Sequence, residues 1–506
     1  MSGRSAVALL VLLAALAGLT VPAGAASTAP PPVGSVAALP FANSCGGARQ
    51  DYFAAGFSQD LRAALARLNG LQVAGRASSL ALQVRQVDYP TAARKLNVAA
   101  LLEGGVCMFG HAVRVTMRLI DGASGLPTWS QSFAFDLKDS AATRTAIALA
   151  VASRLQVDPP AEGAATLELG STNDAQAYDE YLHGLVMYYK ATRAAAFRDA
   201  AVRLDRAISR DPNFAAAHAQ RARALIGLSA LIPTPGRRAE VRERARRSAE
   251  RAVALAPQLA EAHLALGVVR AAGFLDFAAA APEYARALEL APGSAEAQAE
   301  AAWYYGLSAR PESAVAAARR AVGLDPVGFR AHLTLTEAYY YGRRFSEALA
   351  AIEQARQIEP DAPQTAAYAA FSYLALGRYD AARQTCESRS VRLDEDDRHW
   401  CLAVAYHALG KPAQAQAQLA GLKALDGEAG AFFFAEVYAQ WGDRTAALKA
   451  LATAMRLHNA GLRLLKVDWP LDPIRDEPQF QQLAQQLKFP PSPAVALAPQ
   501  LRPPRR

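Results

Sequence analysis

Hydrophobic positions follow two different rules along this chain. Up to about residue 157 both periods are present. Val36 to Phe41 is an apolar run of strand length, and Phe53, Phe57, Leu61, Ala64, Leu65 and Leu68 then fall on one face of a helix. Leu71 to Gly75 reads as a second strand, Thr91 to Leu96 as a short helix, and Ala99 to Met108 as a mostly apolar, central strand. Val113, Val115, Met117 and Leu119, and then Trp129, Gln131, Phe133 and Phe135, alternate around the turn Asp121-Gly122-Ala123-Ser124-Gly125, which predicts a hairpin. Ala141 to Leu155 closes the unit as a helix. Asp158-Pro159-Pro160 to Thr172 keeps no period and reads as a linker.

From Thr172 onward the pattern is helical and repeats itself. Helix-ending prolines fall at Pro212, Pro257, Pro292, Pro326 and Pro360, and the last two gaps are each 34 residues. An aromatic recurs late in the first helix of each unit (Tyr305, Tyr339, Tyr373, Tyr406, Tyr438). Nine positions later a small residue recurs (Ala314, Ala348, Ala382, Ala415, Ala447). Two antiparallel helices approach closely only where one contributes Ala or Gly, and the aromatic fills the gap between successive pairs. Gly377-Arg378-Tyr379 and Gly442-Asp443 read as the turns between helices. This pattern resembles the tetratricopeptide repeat family over residues 174–460, as about eight helical hairpins, the second carrying extra residues around Leu228 to Arg238. Leu471-Asp472-Pro473 and Pro478 to Leu487 then read as a capping helix within residues 461–488 that shields the end of the stack. Residues 489–506 read as a disordered tail.

The first unit carries a second resemblance. Leu39-Pro40-Phe41, Tyr52 to Phe57, Gly70 to Val73, Leu101 to Gly104, and Arg114 to Asp121 followed by Trp129-Ser130 resemble a TolB amino-terminal-like (FlgO-like) domain over residues 36–157. The expected fold class is therefore α+β overall: a small α/β N-terminal domain, a linker at 158–173, and an all-α tetratricopeptide solenoid. In proteins of similar arrangement such domains often follow a winged-helix regulator, a kinase or a nucleotide cyclase. The resemblance thus implies the sensing or scaffolding half of such a system.

Arg4 followed by an uncharged stretch from Ser5 to Ala25, ending in Ala23-Gly24-Ala25, reads as a signal peptide (residues 1–25) cut before Ala26, with a Pro-rich leader at 26–35. The other reading keeps Ala6 to Gly24 as a membrane anchor, since a helix of that length nearly crosses a bilayer. The expected location is the periplasm or the exterior after cleavage, or the inner membrane with periplasmic domains if the segment stays. Composition excludes a disordered chain: 52% of residues are hydrophobic and 20% charged. Lys and Arg outnumber Asp and Glu by 54 to 46, but Arg4, Arg502, Arg505 and Arg506 lie at the ends, so no nucleic-acid partner is expected. Four cysteines split as Cys45 and Cys107 in one half and Cys386 and Cys401 in the other. An oxidising compartment favours two bridges within domains, the alternative being four small buried thiols. Cys45 and Cys107 depart from the TolB-like pattern, and a bridge from the end of the first strand to the central strand is one account of them. Cys386 and Cys401 fall on adjacent helices of the stack, where a bridge locks two repeats.

Catalytic signatures are missing. There is no phosphate-binding GxxxxGK[ST] loop, no HExxH and no GxSxG elbow, and the eight histidines are scattered singly, so no enzyme, cofactor or metal is expected. Glu395-Asp396-Asp397 start a helix, where acids offset the helix dipole. The arginine-rich stretch Arg237 to Arg251 reads as a solvated outer face paired with its own glutamates. What remains is a surface. Stacked hairpins curve, and their first helices line a concave groove. The inward positions include Trp303, Glu337, Tyr340, Tyr341, Phe371, Trp400, His407, Phe432 and Glu436, a set rich in rigid aromatic area suited to a protein or peptide partner in the cell envelope. Some of these aromatics alternatively pack as core between repeats. The functional expectation is an exported, non-enzymatic interaction scaffold, the alternative being a membrane-anchored sensory subunit of a signalling system.

Overall fold

The computed structural model describes residues 31–490 except 48–49, 85–86, 159–163 and 233. The segment read as a signal peptide and the residues beyond 490 lie outside the described residues. The first unit runs β1 (Ser35–Ala38), β2 (Ala42–Asn43), α1 (Asp51–Ala66), β3 (Gln72–Val73), α2 (Arg76–Val84), α3 (Tyr89–Leu96), β4 (Ala100–Phe109), β5 (Ala112–Asp121), β6 (Pro127–Asp136) and α4 (Ser140–Arg154). The sheet order is β3-β1-β4-β5-β6, with β2 beside β4. β1 is parallel to both neighbours, and β4, β5 and β6 form an antiparallel meander. β4 is therefore central, as its apolar run predicts.

Alternation decides which face is covered. Leu102, Val106, Val113, Val115 and Met117 point to one side, where Phe53, Phe57, Leu61 and Leu65 of α1 and Ile147 and Val151 of α4 cover them. On the other side Ala37, Leu101 and Ile120 meet Ala92, Ala93 and Leu96 of α3. The alternation gave no sign of α2. Its inward positions include the buried serines Ser78 and Ser79, which leave no apolar stripe to read. Cys45 and Cys107 form a disulfide (Cα–Cα 5.0 Å) linking the segment after β2 to β4.

The stretch 158–173 contributes a short helix, α5 (Ala164–Glu168), whose Leu167 is buried. Eight helical hairpins follow among the described residues. They are α6 and α7 (Ala175–Lys190, Ala194–Arg210), α8 and α9 (Ala215–Ala230, Pro235–Leu255), α10 and α11 (Ala260–Val268, Phe277–Leu290), and α12 and α13 (Ala295–Leu307, Pro311–Leu324). The rest are α14 and α15 (Phe329–Tyr341, Phe345–Ile358), α16 and α17 (Pro363–Ala375, Tyr379–Glu387), α18 and α19 (Glu395–Ala408, Pro412–Asp426), and α20 and α21 (Ala431–Gln440, Arg444–Arg456). Each helix-ending proline sits two residues past its helix.

The repeat signature has a geometric counterpart. Ala314, Ala348, Ala382, Ala415 and Ala447 are all buried, so the paired helices close at these points. The tyrosines reach back to the preceding hairpin: Tyr339 Oη accepts from Arg319 of α13 (3.0 Å), Tyr406 Oη donates to Glu387 of α17 (2.6 Å), and Tyr438 Oη accepts from Lys423 of α19 (2.7 Å). Every inter-helix turn after α12, α14, α16, α18 and α20 is the same. The N–H five residues past the tyrosine donates to the tyrosine carbonyl, and the residue between sits in the left-handed region (Ala309, Arg343, Gly377, Gly410, Gly442). Helix α9 is long because the second hairpin carries the extra residues. It buries Ala245, Ala249 and Ala252, while Arg246 pairs outside with Glu243 and Glu250. Cys386 of α17 and Cys401 of α18 are bridged (Cα–Cα 6.6 Å), joining adjacent hairpins.

Several contacts fasten the α/β unit to the solenoid, among them Tyr52 with Asp179 and Arg67 with Glu261, and at two places they form buried networks. Arg144 of α4 and Asp60 of α1 pair at 2.7 Å, Tyr178 of α6 donates to the same carboxylate at 2.8 Å, and Arg144 also reaches the Leu167 carbonyl at 2.8 Å. At the second place Gly75 N–H donates to Leu324 O, Ser78 N–H to Asp325 Oδ1, and Val327 N–H to Ser78 Oγ. A side chain at Gly75 would meet Asp325 at 2.3 Å, so the chain passes there only as glycine.

Candidate peptide groove

Which helix surfaces face inward follows from the 34-residue register, and α14, α16, α18 and α20 carry most of the predicted groove residues. They meet as a continuous aromatic ladder. Tyr340 packs edge to face with Tyr368 (5.2 Å between centroids), Tyr368 with Phe371 (6.4 Å), and Phe371 with Trp400 (4.7 Å). Tyr341 Oη lies 3.0 Å from Tyr368 Oη, and Tyr368 Oη donates to Glu337 at 3.3 Å. Arg330 approaches the same carboxylate at 3.6 Å.

The expected open surface is largely covered. Tyr340, Glu337, Trp400, Phe432 and Glu436 are buried, Trp303, Tyr341 and Phe371 are half-buried, and His407 alone of the predicted set is exposed, stacked on Trp441 at 5.2 Å. The cover is the C-terminal segment. It does shield the end of the stack: Leu462, Leu465, Leu471, Ile474, Phe480 and Leu483 form one cluster with Phe432, Leu448 and Leu451 of the last hairpin, and α22 (Pro478–Gln485) belongs to it. Between these anchors, however, the chain turns into the concave face. Trp469 Nε1 donates to Tyr340 Oη at 2.8 Å and packs against the clusters holding Tyr368, Phe371 and Trp400. Val467 is buried with Leu264, Phe277, Tyr284 and Tyr304 of the third and fourth hairpins, and Phe489 stacks on Phe277 at 4.6 Å. Residues 461–490 thus form a strap across the inside of the superhelix from the eighth hairpin to the third. The cap reading of 461–488 therefore accounts for part of the segment, and residue 489, expected in the disordered tail, is packed.

Electrostatics inside the groove favour neutral donors. Burial pushes the Tyr340 and Tyr368 hydroxyls well above their ordinary range. Glu436 of α20 faces Asp468 of the strap, and burial followed by the facing acid raises the Glu436 carboxyl well above the usual range; burial raises Asp468 as well. Asp397 of α18 is pushed up to about 7 by burial and then by Asp396 and Asp394. The oxygens of Asp394, Asp396 and Asp397 gather within 4.8 Å of one another at the helix start, where acids offset the dipole. Tyr368 and Arg330 escaped the sequence reading although they share the inward register. Asp468 and Trp469 escaped it because they lie outside the repeats. His399 bonds Gln418 and His407 stacks on Trp441, so these two histidines serve separate contacts.

Among the described residues no helix is long and apolar enough to cross a membrane. The Tetratricopeptide repeat family profile matches residues 342–400. A putative adenylate cyclase 3 of Rhizobium meliloti (strain 1021) is 30% identical over 187 residues, 37% of this chain and 31% of its own. The chain thus spans about a third of that relative's length. Among solved structures, Pseudomonas aeruginosa PilF is 20% identical, covering 40% of this chain and 91% of its own with a TM-score of 0.32. PilW, a widely conserved type IV pilus biogenesis factor, is 22% identical over 40% and 92% of the two chains with a TM-score of 0.34. YrrB, a tetratricopeptide protein with an unusual peptide-binding site, is 18% identical over 37% and 94% with a TM-score of 0.29. With the interlocking alanines and the matched profile together, the chain is a small mixed α/β unit followed by a solenoid of tetratricopeptide type.

Proposed function

We propose that this protein is an exported, non-enzymatic scaffold that holds a peptide or protein segment of an envelope partner against the concave face of its repeats, with the α/β unit, which resembles TolB-like domains, docking to a second component. One observation carries the reading: the inner face already holds a segment from outside the repeats, residues 464–471, folded as turn and 3-10 helix, by an aromatic ladder and buried polar groups. Rigid aromatics bury large area at small entropic cost, which is what peptide recognition by a groove requires. The apolar N-terminal stretch and the two disulfides support an oxidising compartment. The membrane-anchored sensory reading draws its support from the cyclase relative and the uncleaved alternative for Ala6 to Gly24.

A photo-crosslinking side chain at the exposed His407 tests the scaffold. Irradiation of envelope preparations should give adducts that map to one segment of another protein. Adducts confined to lipid, or no adducts, would overturn the reading. Sequencing the mature N-terminus separates the two locations.

A further inference from the structure

The strap is gripped along its length. Arg475 donates to the carbonyls of Leu465, Lys466 and Asp468, Gln440 of α20 donates to the Pro470 carbonyl, and Arg343 pairs with Asp472. Trp469 is held by shape and by the Tyr340 hydroxyl. One residue earlier the fit fails in charge. Asp468, 4% exposed, faces Glu436, also 4% exposed, and the two carboxyls share a hydrogen bond, which needs a proton on one of them, while Arg475 and Arg343 act on Asp468 from the other side. A buried acid facing a buried acid is unfavourable unless a proton or a cation sits between them. The groove therefore has a buried carboxyl, Glu436, beside an aromatic slot built from Tyr340, Tyr368, Phe371 and Trp400. The chain's own segment fills the slot but meets the carboxyl with a second acid, so it is held there only with a shared proton.

We propose that residues 464–471 are a displaceable internal occupant of the groove, and that the partner is a protein segment presenting a basic residue immediately before an aromatic–proline pair, the chemistry of Trp469-Pro470 with a cation in the place of Asp468. This rests on the scaffold reading and names the partner's recognition chemistry. A cation there pairs with Glu436 and needs no shared proton, which lets an outside segment compete with a tethered one.

The test uses two fluorescein-labelled synthetic peptides spanning residues 464–473, one of natural sequence and one carrying Asp468→Lys. They are titrated against the full chain and against its Trp469→Ala variant, in which the strap has lost its anchor. The Asp468→Lys peptide should bind the Trp469→Ala chain at least ten-fold more tightly than the natural peptide does, and at least ten-fold more tightly than it binds the wild-type chain. Adding Glu436→Gln to that variant should abolish the preference for lysine. Equal binding of both peptides, or no binding to a Trp469→Ala chain of unchanged helicity, would overturn the proposal. If Trp469→Ala lowers helicity, Trp469→Phe takes its place. It keeps a ring and loses the indole N–H, and about three-fold tighter peptide binding than wild type is expected, an unchanged affinity overturning the proposal. The crosslinking experiment at His407 asks whether a second protein is bound at all, so either result can fail without the other.

Discussion

Asp60 accepts from Arg144 and Tyr178 with all three side chains buried, so the charge of Arg144 depends on one carboxylate. Removing one member of a buried pair costs more than the pair contributes, because the other charge is left in a low dielectric. Asp60→Ala should therefore lower unfolding stability by about 3–5 kcal/mol, measured by urea titration. Tyr178→Phe, which removes only one hydrogen bond to a charged acceptor, should cost about 1–2 kcal/mol. Nearly equal losses would mean that the hydroxyl and not the ion pair carries the contact. Of the three residues none announced itself in the sequence, since a lone charged residue on a helix face reads as solvated until the neighbouring helix is known.

Successive hairpins share their cores through small contacts repeated many times, and the bridge between Cys386 and Cys401 adds a covalent link between two of them. It closes a short loop, 15 residues in sequence separation, and restricts the unfolded chain accordingly. The double variant Cys386→Ala with Cys401→Ala should lose about 2–3 kcal/mol, read as a lower denaturant midpoint that matches wild type under reducing conditions. A variant as stable as oxidised wild type would show that the hairpins hold without the bridge. At this scale the sequence was most informative. The prolines mark where helices stop, the alanines where they cross and the tyrosines where hairpins meet, because each repeat contacts only its neighbours and the pattern is local. Helix α2 was missed for the opposite reason: its inward Ser78 binds the distant Asp325 and Val327, an interaction that leaves no period.

Across the whole molecule, the strap makes the solenoid's stability depend on pH. Glu436 is faced by Asp468 of the strap and Asp397 of α18; Asp468 is faced by Glu436, by Arg475 and Asp472 of the strap, and by Arg343 from the turn after α14. Both carboxyls are raised above their unfolded values, so the stability they contribute is fully present below the unfolded pKa, roughly 4, and is lost as pH rises through the folded values. Amide exchange across residues 464–471 should accordingly be slowest in mild acid and, after correction for intrinsic rates, should lose protection toward neutral pH. Glu436→Gln should flatten that dependence. Protection that rises with pH would show that Arg475 and Arg343 govern the site instead.

The sequence by itself determined the elements whose contacts are close along the chain: the β5–β6 hairpin, the helical hairpins and their turns. Only the tertiary structure decided whether the groove was open. Trp469 meets Tyr340 across 129 positions, and no periodicity records a contact made between a unique segment and a repeated surface. Burial of a surface that local pattern leaves exposed depends on the curvature accumulated over several repeats. That curvature brings the end of the chain back inside.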